Sequence, residues 1–244
     1  MRQTIADTLG IGGIFRTLRT APVVQAFAKE MEQVCPNAMF WMGMLDDVVD
    51  LQWKIAGINH QAWLLEITDG GKDLYPEIRK RAAKMNREAR KKGGEKHGDM
   101  VRLEMMRHFG YYITESSEHS PEYMPYWIKN QFPEMIEEFN IPGDEYPRRC
   151  IRQIERWKTQ SVELVGNKKL VHKRTLEYGS YIMEAMETDV PFRIGGNVLN
   201  DGLITNLPSK AIVEVACLVD RNGVQGTYVG DLPEQLAALN RTNI

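Results

Sequence analysis

Two short stretches of this chain carry residues whose types and spacing can do chemistry. The first is Gly57-Ile58-Asn59-His60. An alternating apolar run that starts at Trp53 stops at this corner, and a second run, Trp63 to Ile67, begins directly behind it. The pattern predicts two strands joined by a polar turn. A histidine at a strand end has a fixed backbone, which suits a metal ligand or an acid–base group. The competing assignment for His60 is a hydrogen-bonded structural imidazole. The second stretch is Thr114-Glu115-Ser116-Ser117-Glu118-His119-Ser120-Pro121-Glu122-Tyr123, dense in titratable groups. Carboxylates beside a histidine form a general acid–base pair in some settings and a surface loop in others.

Two further features are compatible with ligands. Ala6 to Gly13 is a glycine-rich turn, with Gly10, Gly12 and Gly13, leading into a helix patterned by Val23, Val24, Phe27, Met31 and Val34. Glycines before a helix let backbone N–H groups approach a phosphate. The spacing is not the dinucleotide fingerprint, and no strand clearly precedes it. The acidic trio Asp46, Asp47 and Asp50 suits either a hard cation or a solvated loop.

The elements that must hold these residues follow from periodicity. A short strand is expected at Asn37–Trp41, a connector over 42–52, and then the two strands around His60. Asp69 to Asp73 is a turn by composition. A basic helix over about 76–92 presents a solvated face. Residues 99–109 form a methionine-rich core helix that ends at Gly110, and Tyr111–Ile113 is a strand. Helices dominate from about 133 to 188, with an amphipathic run through Ile151, Ile154 and Trp157. Gly195 to Gly202 is expected as a loop, Ala211–Val219 as a strand carrying Glu214, and Asn222-Gly223 as a hairpin turn. A last helix is expected over Leu232–Leu239. Strands alternate with helices, so the class is α/β.

Composition narrows the partners. The 244 residues are 26% charged and 43% hydrophobic with a net charge of -2. This balance gives no reason for a nucleic-acid partner, and no apolar run is long enough to span a bilayer. Cys35, Cys150 and Cys217 lack metal spacing and suit free thiols in a reducing compartment, so a cytoplasmic protein is expected.

Taken in order along the chain, several segments resemble glycoside hydrolase family 4, and within it the melibiase-type α-galactosidases. They are Gln3-Thr4-Ile5-Ala6-Asp7-Thr8-Leu9-Gly10 with Gly12-Gly13-Ile14, Val34-Cys35-Pro36, Ala56-Gly57-Ile58-Asn59-His60 and Thr114-Glu115-Ser116-Ser117-Glu118-His119. Asp144-Glu145-Tyr146-Pro147, Asn200-Asp201-Gly202-Leu203-Ile204 with Asn206-Leu207-Pro208, and Val213 to Asp220 complete the set. The resemblance implies a Rossmann-like NAD-binding remnant over 1–52 and, over 53–244, a C-terminally incomplete α/β metal- and sugar-binding domain of the lactate/malate dehydrogenase type.

It also implies hydrolysis of α-galactosides by NAD-dependent oxidation at C3, loss of the C2 proton and elimination, with manganese assisting. The alternatives are an α-glucuronidase or α-galacturonidase of the same family, a non-catalytic α/β interaction module, and a plain NAD dehydrogenase. By the same resemblance His60 is a metal ligand, Asn59 and Ser117 bind substrate, and Gly10, Gly12 and Gly13 lie near NAD. The catalytic group is one of Glu118, His119 and Tyr123. A homodimer or homotetramer is implied.

The chain departs from the family pattern in two places. The strand and glycine turn that open a full member do not precede Met1. The Asn-Pro-Met and Cys-His segments expected between Phe40 and Met44 are absent from the sequence. The 244 residues by themselves are therefore expected to bind NAD poorly and to lack glycosidase activity.

Overall fold

The computed structural model describes residues 50–166 and 178–244. The turn with Gly10, Gly12 and Gly13, the expected strand at 37–41, Asp46, Asp47 and Cys35 lie outside the described residues.

A hairpin organises the rest. Strand β1 (Leu51–Ile58) and strand β2 (Gln61–Asp69) pair antiparallel, and Ile58 opposite Gln61 closes the ladder at the Asn59-His60 turn. The alternation broken between Lys54 and Ile55 is a bulge in this ladder. Gly70 and Gly71, both at positive φ, turn the chain into strand β3 (Lys72–Asp73), as the turn composition predicts.

Helix α1 (Tyr75–Ala89) starts with Pro76 in its first turn and buries Tyr75, Ile78, Ala82, Asn86 and Ala89 along one stripe. Its basic residues Lys80, Lys84 and Arg87 face solvent. Helix α2 (Met100–Phe109) is buried from Met100 through Met106, and Gly110 ends it in the left-handed conformation. The methionines are core, as expected. Strand β4 (Tyr112–Ile113) adds to β2. Two short helices follow, α3 (Ser120–Tyr123) and α4 (Glu134–Glu138), and then the long α5 (Glu145–Gly166). The stripe Ile151, Ile154 and Trp157 lies exposed on α5. Helix α6 is Tyr178–Thr188.

Strand β5 (Phe192–Leu199) corrects the expectation of a loop from Gly195. Gly196 is a packing glycine rather than a turn glycine, since a Cβ there would stand 2.8 Å from Cys217 Sγ on the neighbouring strand. Strand β6 (Ile212–Asp220) pairs with β5 over eight residues and with β1 at Ala56 and Gly57. Strand β7 (Gly223–Gly226) returns along β6, and the tight turn is Arg221-Asn222, one residue before the expected pair. Helix α7 (Glu234–Arg241) closes the described chain.

The sheet order is β3-β2-β1-β6-β5, with β4 on β2 and β7 on β6. The α/β class holds, and the strand ladders among the described residues are antiparallel. One apolar cluster joins Ala56, Ile194, Val213, Val215, Cys217 and Val219 to Ala185 and Ala237 from the helices. Another packs Trp63 and Ile113 against Met100, Met105 and Leu236. A third sets Ile55 and Leu64 against Ile78, Leu103 and Met106. The β1–β2 corner is thus gripped by core on both sides, and fully burying one such side chain is worth about 1.5–3 kcal/mol. Cys217 is buried and Cys150 partly so, both as free thiols.

Candidate active site

The chain brings its two chemically loaded stretches together. Thr114 donates both its N–H and its hydroxyl to Ala62 O, which locks the end of β4 beside the start of β2. The next residue, Glu115, is thereby delivered to the β1–β2 corner. Its Oε2 lies 2.5 Å from His60 Nδ1, and its Oε1 accepts the Ser116 N–H at 2.7 Å. The His60 and Glu115 side chains are only 10% and 7% exposed. Burial pushes the Glu115 carboxyl up, but the hydrogen bond and charge of His60 and the Ser116 N–H outweigh it, and the group titrates below its ordinary value.

The His119 ring stacks on His60 with centroids 4.9 Å apart, and the Tyr123 ring lies 5.6 Å from His60. His119 Nδ1 sits 3.2 Å from Glu122 Oε2, one helical turn along α3. His60, Glu115, His119, Glu122 and Tyr123 therefore form one cluster of two carboxylate–histidine pairs and a phenol. Such pairs orient an imidazole for proton transfer or for ligation.

The other expected site residues are placed differently. Glu118 turns to Arg149 on α5, with contacts of 3.0 and 3.3 Å. Ser117 is buried, and its Oγ accepts the Arg102 N–H in the first turn of α2, where a helix leaves such a donor without an internal partner. Asn59 is half-buried at the corner, joined to His60 by a cis peptide. Asp50 is a bend whose N–H donates to Asp69 Oδ1, so it serves the hairpin end.

Three supports of the site escape sequence reasoning. Glu115 stood inside the singled-out motif, but nothing local marks which of its acids is buried. Asn240 on α7 donates its side-chain amide to Gln61 O at 2.8 Å and so pins the corner from 179 residues away. Glu214 on β6 stands opposite Gly57, fully buried, with Oε1 lacking a hydrogen-bond partner among the described residues. Burial, then the charge of Glu115, raises its carboxyl to about 8. The one sequence signal was an acid set in an apolar strand.

The Asp99–Arg102 ion pair stiffens the base of the cluster. Arg102 also lies over the Tyr112 ring at 4.7 Å, and the Tyr112 hydroxyl donates to Asp99 at 2.8 Å. Among the described residues no three His, Cys, Asp or Glu side chains converge as a metal site. Two surface cavities, of about 370 and 320 Å³, are lined from α1, α2 and the 126–139 region, away from the histidine cluster.

The pattern of the Family 4 glycosyl hydrolase C-terminal domain matches residues 55–244, and that of Family 4 glycosyl hydrolase matches residues 1–43. This chain belongs to glycosyl hydrolase family 4. It is 52% identical to an alpha-galactosidase of Bacillus subtilis (strain 168) over 282 aligned residues, covering 100% of this chain and 63% of that protein. The aligned span exceeds the 244 residues of this chain, so the relative carries internal residues without a counterpart here.

Two solved structures share the fold. One is a Bacillus subtilis protein assigned as a glucosidase, lplD, with a TM-score of 0.74 at 21% identity, covering 98% of this chain and 66% of that one. The other is a 6-phospho-alpha-glucosidase from gut microorganisms in complex with NAD and Mn2+, with a TM-score of 0.61 at 19% identity, covering 96% and 62%.

Proposed function

We propose that this chain is the greater part of an NAD- and manganese-dependent α-galactosidase. The observation that carries this reading is the 52% identity to the Bacillus subtilis alpha-galactosidase along the whole of this chain. The paired His60–Glu115 and His119–Glu122 groups at the hairpin corner support it, as they supply proton-handling chemistry without two opposed carboxylates.

NAD and a divalent ion, when bound, supply hydride transfer at C3 and polarisation of the sugar oxygens. The described residues offer one oriented imidazole to such an ion, His60, which is too few to hold it alone. The work of the chain itself is proton transfer and orientation. His119 is the favoured base of the three candidates, because it stacks on His60 while Glu118 is engaged by Arg149. Tyr123, beside the same ring, is placed to assist. Asn59, half-buried at the corner, is assigned to the sugar, whereas the buried Ser117 has its Oγ engaged by the Arg102 N–H. The N-terminal 1–52 portion, with Gly10, Gly12 and Gly13, would lie at the cofactor, and 53–244 would hold the sugar. The partner is a small α-glycoside, the location cytoplasmic and the assembly a homodimer or homotetramer.

The test is hydrolysis of p-nitrophenyl α-galactoside by the complete enzyme, purified and dialysed, with NAD, Mn2+ and reductant each withheld in turn. Activity is expected only when all are present. Full activity in EDTA without NAD would overturn the mechanism in favour of a two-carboxylate glycosidase.

A further inference from the structure

We propose that Glu115 is a positioning residue that fixes His60 in the tautomer carrying its proton on Nδ1 and its lone pair on Nε2. The proposal rests on His60 being an acting group of the site, as in the function proposed above. It follows from how completely the Glu115 carboxylate is engaged. Oε1 accepts the Ser116 N–H at 2.7 Å, and Oε2 faces His60 Nδ1 at 2.5 Å. A carboxylate only accepts hydrogen bonds, so the proton between Oε2 and the ring belongs to Nδ1. Both side chains are nearly excluded from water, so solvent does not offer either group an alternative partner of equal strength.

The arrangement is also rigid. Thr114, the residue before Glu115, is doubly bonded to Ala62 O on the strand that leaves the His60 corner. Behind the corner, Asn240 holds Gln61 O. Against the ring face, His119 stacks on the imidazole and restrains its rotation. Acid and imidazole are therefore attached to the same two hydrogen-bonded strands, and the tautomer is set by the fold. The nitrogen by which His60 acts, as ligand or as base, is Nε2.

The proposal has a sharp isosteric test. In Glu115→Gln the backbone N–H of Ser116 still requires an oxygen, so the amide oxygen takes the Oε1 place and the NH2 group faces His60. An NH2 donor there makes Nδ1 the acceptor and moves the ring proton to Nε2. Two-bond 15N–1H spectra of chain labelled with 15N-histidine report the tautomer, with His60→Gln identifying the resonance. The spectra need no substrate, NAD or metal.

The expected result is an Nδ1-protonated His60 in the wild type and an Nε2-protonated His60 in Glu115→Gln. A wild-type His60 protonated on Nε2, or a tautomer unchanged by Glu115→Gln, overturns the proposal. If the variant fails to fold, the wild-type spectrum alone decides. In the turnover assay Glu115→Gln is expected to lower kcat by about 10–100-fold with little change in KM, the range for partners that orient a ligating histidine. Expected tautomers together with a complete wild-type enzyme that lacks NAD-dependent α-galactosidase activity would uphold the positioning role and overturn the functional reading separately.

Discussion

His60 Nδ1 and Glu115 Oε2 meet at 2.5 Å although 55 residues separate them in the chain. The two residues sit at the ends of strands that share a partner. His60 closes the β1–β2 hairpin, and Glu115 follows β4, which pairs with β2 at Trp63 and Leu64. A slip of either ladder by one residue would turn one of the two side chains to the opposite face of the sheet. The pair is therefore as precise as the sheet register.

This relationship predicts strong coupling. His60→Ala leaves the buried Oε2 of Glu115 without its donor and should cost about 1–3 kcal/mol, while Glu115→Ala should cost a similar amount. The double variant should cost less than the sum of the singles, with an interaction energy of about 1 kcal/mol or more. Urea denaturation of the four proteins measures the cycle. Additive losses would show that the two groups do not interact in solution.

Gly57 makes the corner possible, and its substitution is expected to be severe. It stands at φ +152°, and an added Cβ would lie 2.7 Å from both Ala62 Cα and Gln61 O. These are backbone atoms of the paired strand and have little room to yield. Gly57→Ala should cost about 2–4 kcal/mol, as expected where a side chain is forced into a packed backbone. A melting temperature within a degree or two of the wild type would contradict the close approach.

Glu214 gives the protein a pH dependence of definite sign. Its folded carboxyl titrates at about 8, far above the ordinary 4.5, mainly from burial and then from the charge of Glu115. Between these values the folded chain keeps a proton that the unfolded chain releases. The stability from this group is complete below pH 4.5 and is lost as the pH rises to about 8. Glu214→Gln should flatten that slope and stabilise the protein at pH 8. Chemical denaturation across the window measures both, and an identical slope in the variant would reject the assignment.

The candidate proton-handling residues should separate in turnover. His119→Asn removes the ring stacked on His60 and should lower kcat by about 100-fold or more, the usual range for a general acid or base. Glu118→Gln disturbs a half-exposed ion pair with Arg149, worth about 0–1 kcal/mol, and should leave kcat within about fivefold. The reverse order would move the catalytic role to Glu118.

What the sequence determined by itself was local. The alternating runs flanking Asn59-His60 prescribed the hairpin, Gly110 prescribed the end of α2, and the basic run over about 76–92 prescribed the solvated face of α1. These patterns are legible because backbone geometry repeats every two or 3.6 residues and needs no distant partner.

The family motifs placed His60, His119 and Tyr123 among the site residues, but not which acid each would meet. Only the tertiary structure decided that Glu115 faces His60 while Glu118 leaves for α5, and that Ser117 caps α2. It also decided that Gly195 and Gly196 lie in a strand against Cys217 rather than in a turn. The reason is common to all four. A glycine, a serine or a glutamate carries several local options of nearly equal energy, and the choice falls to burial and to hydrogen-bond partners brought in from elsewhere in the chain.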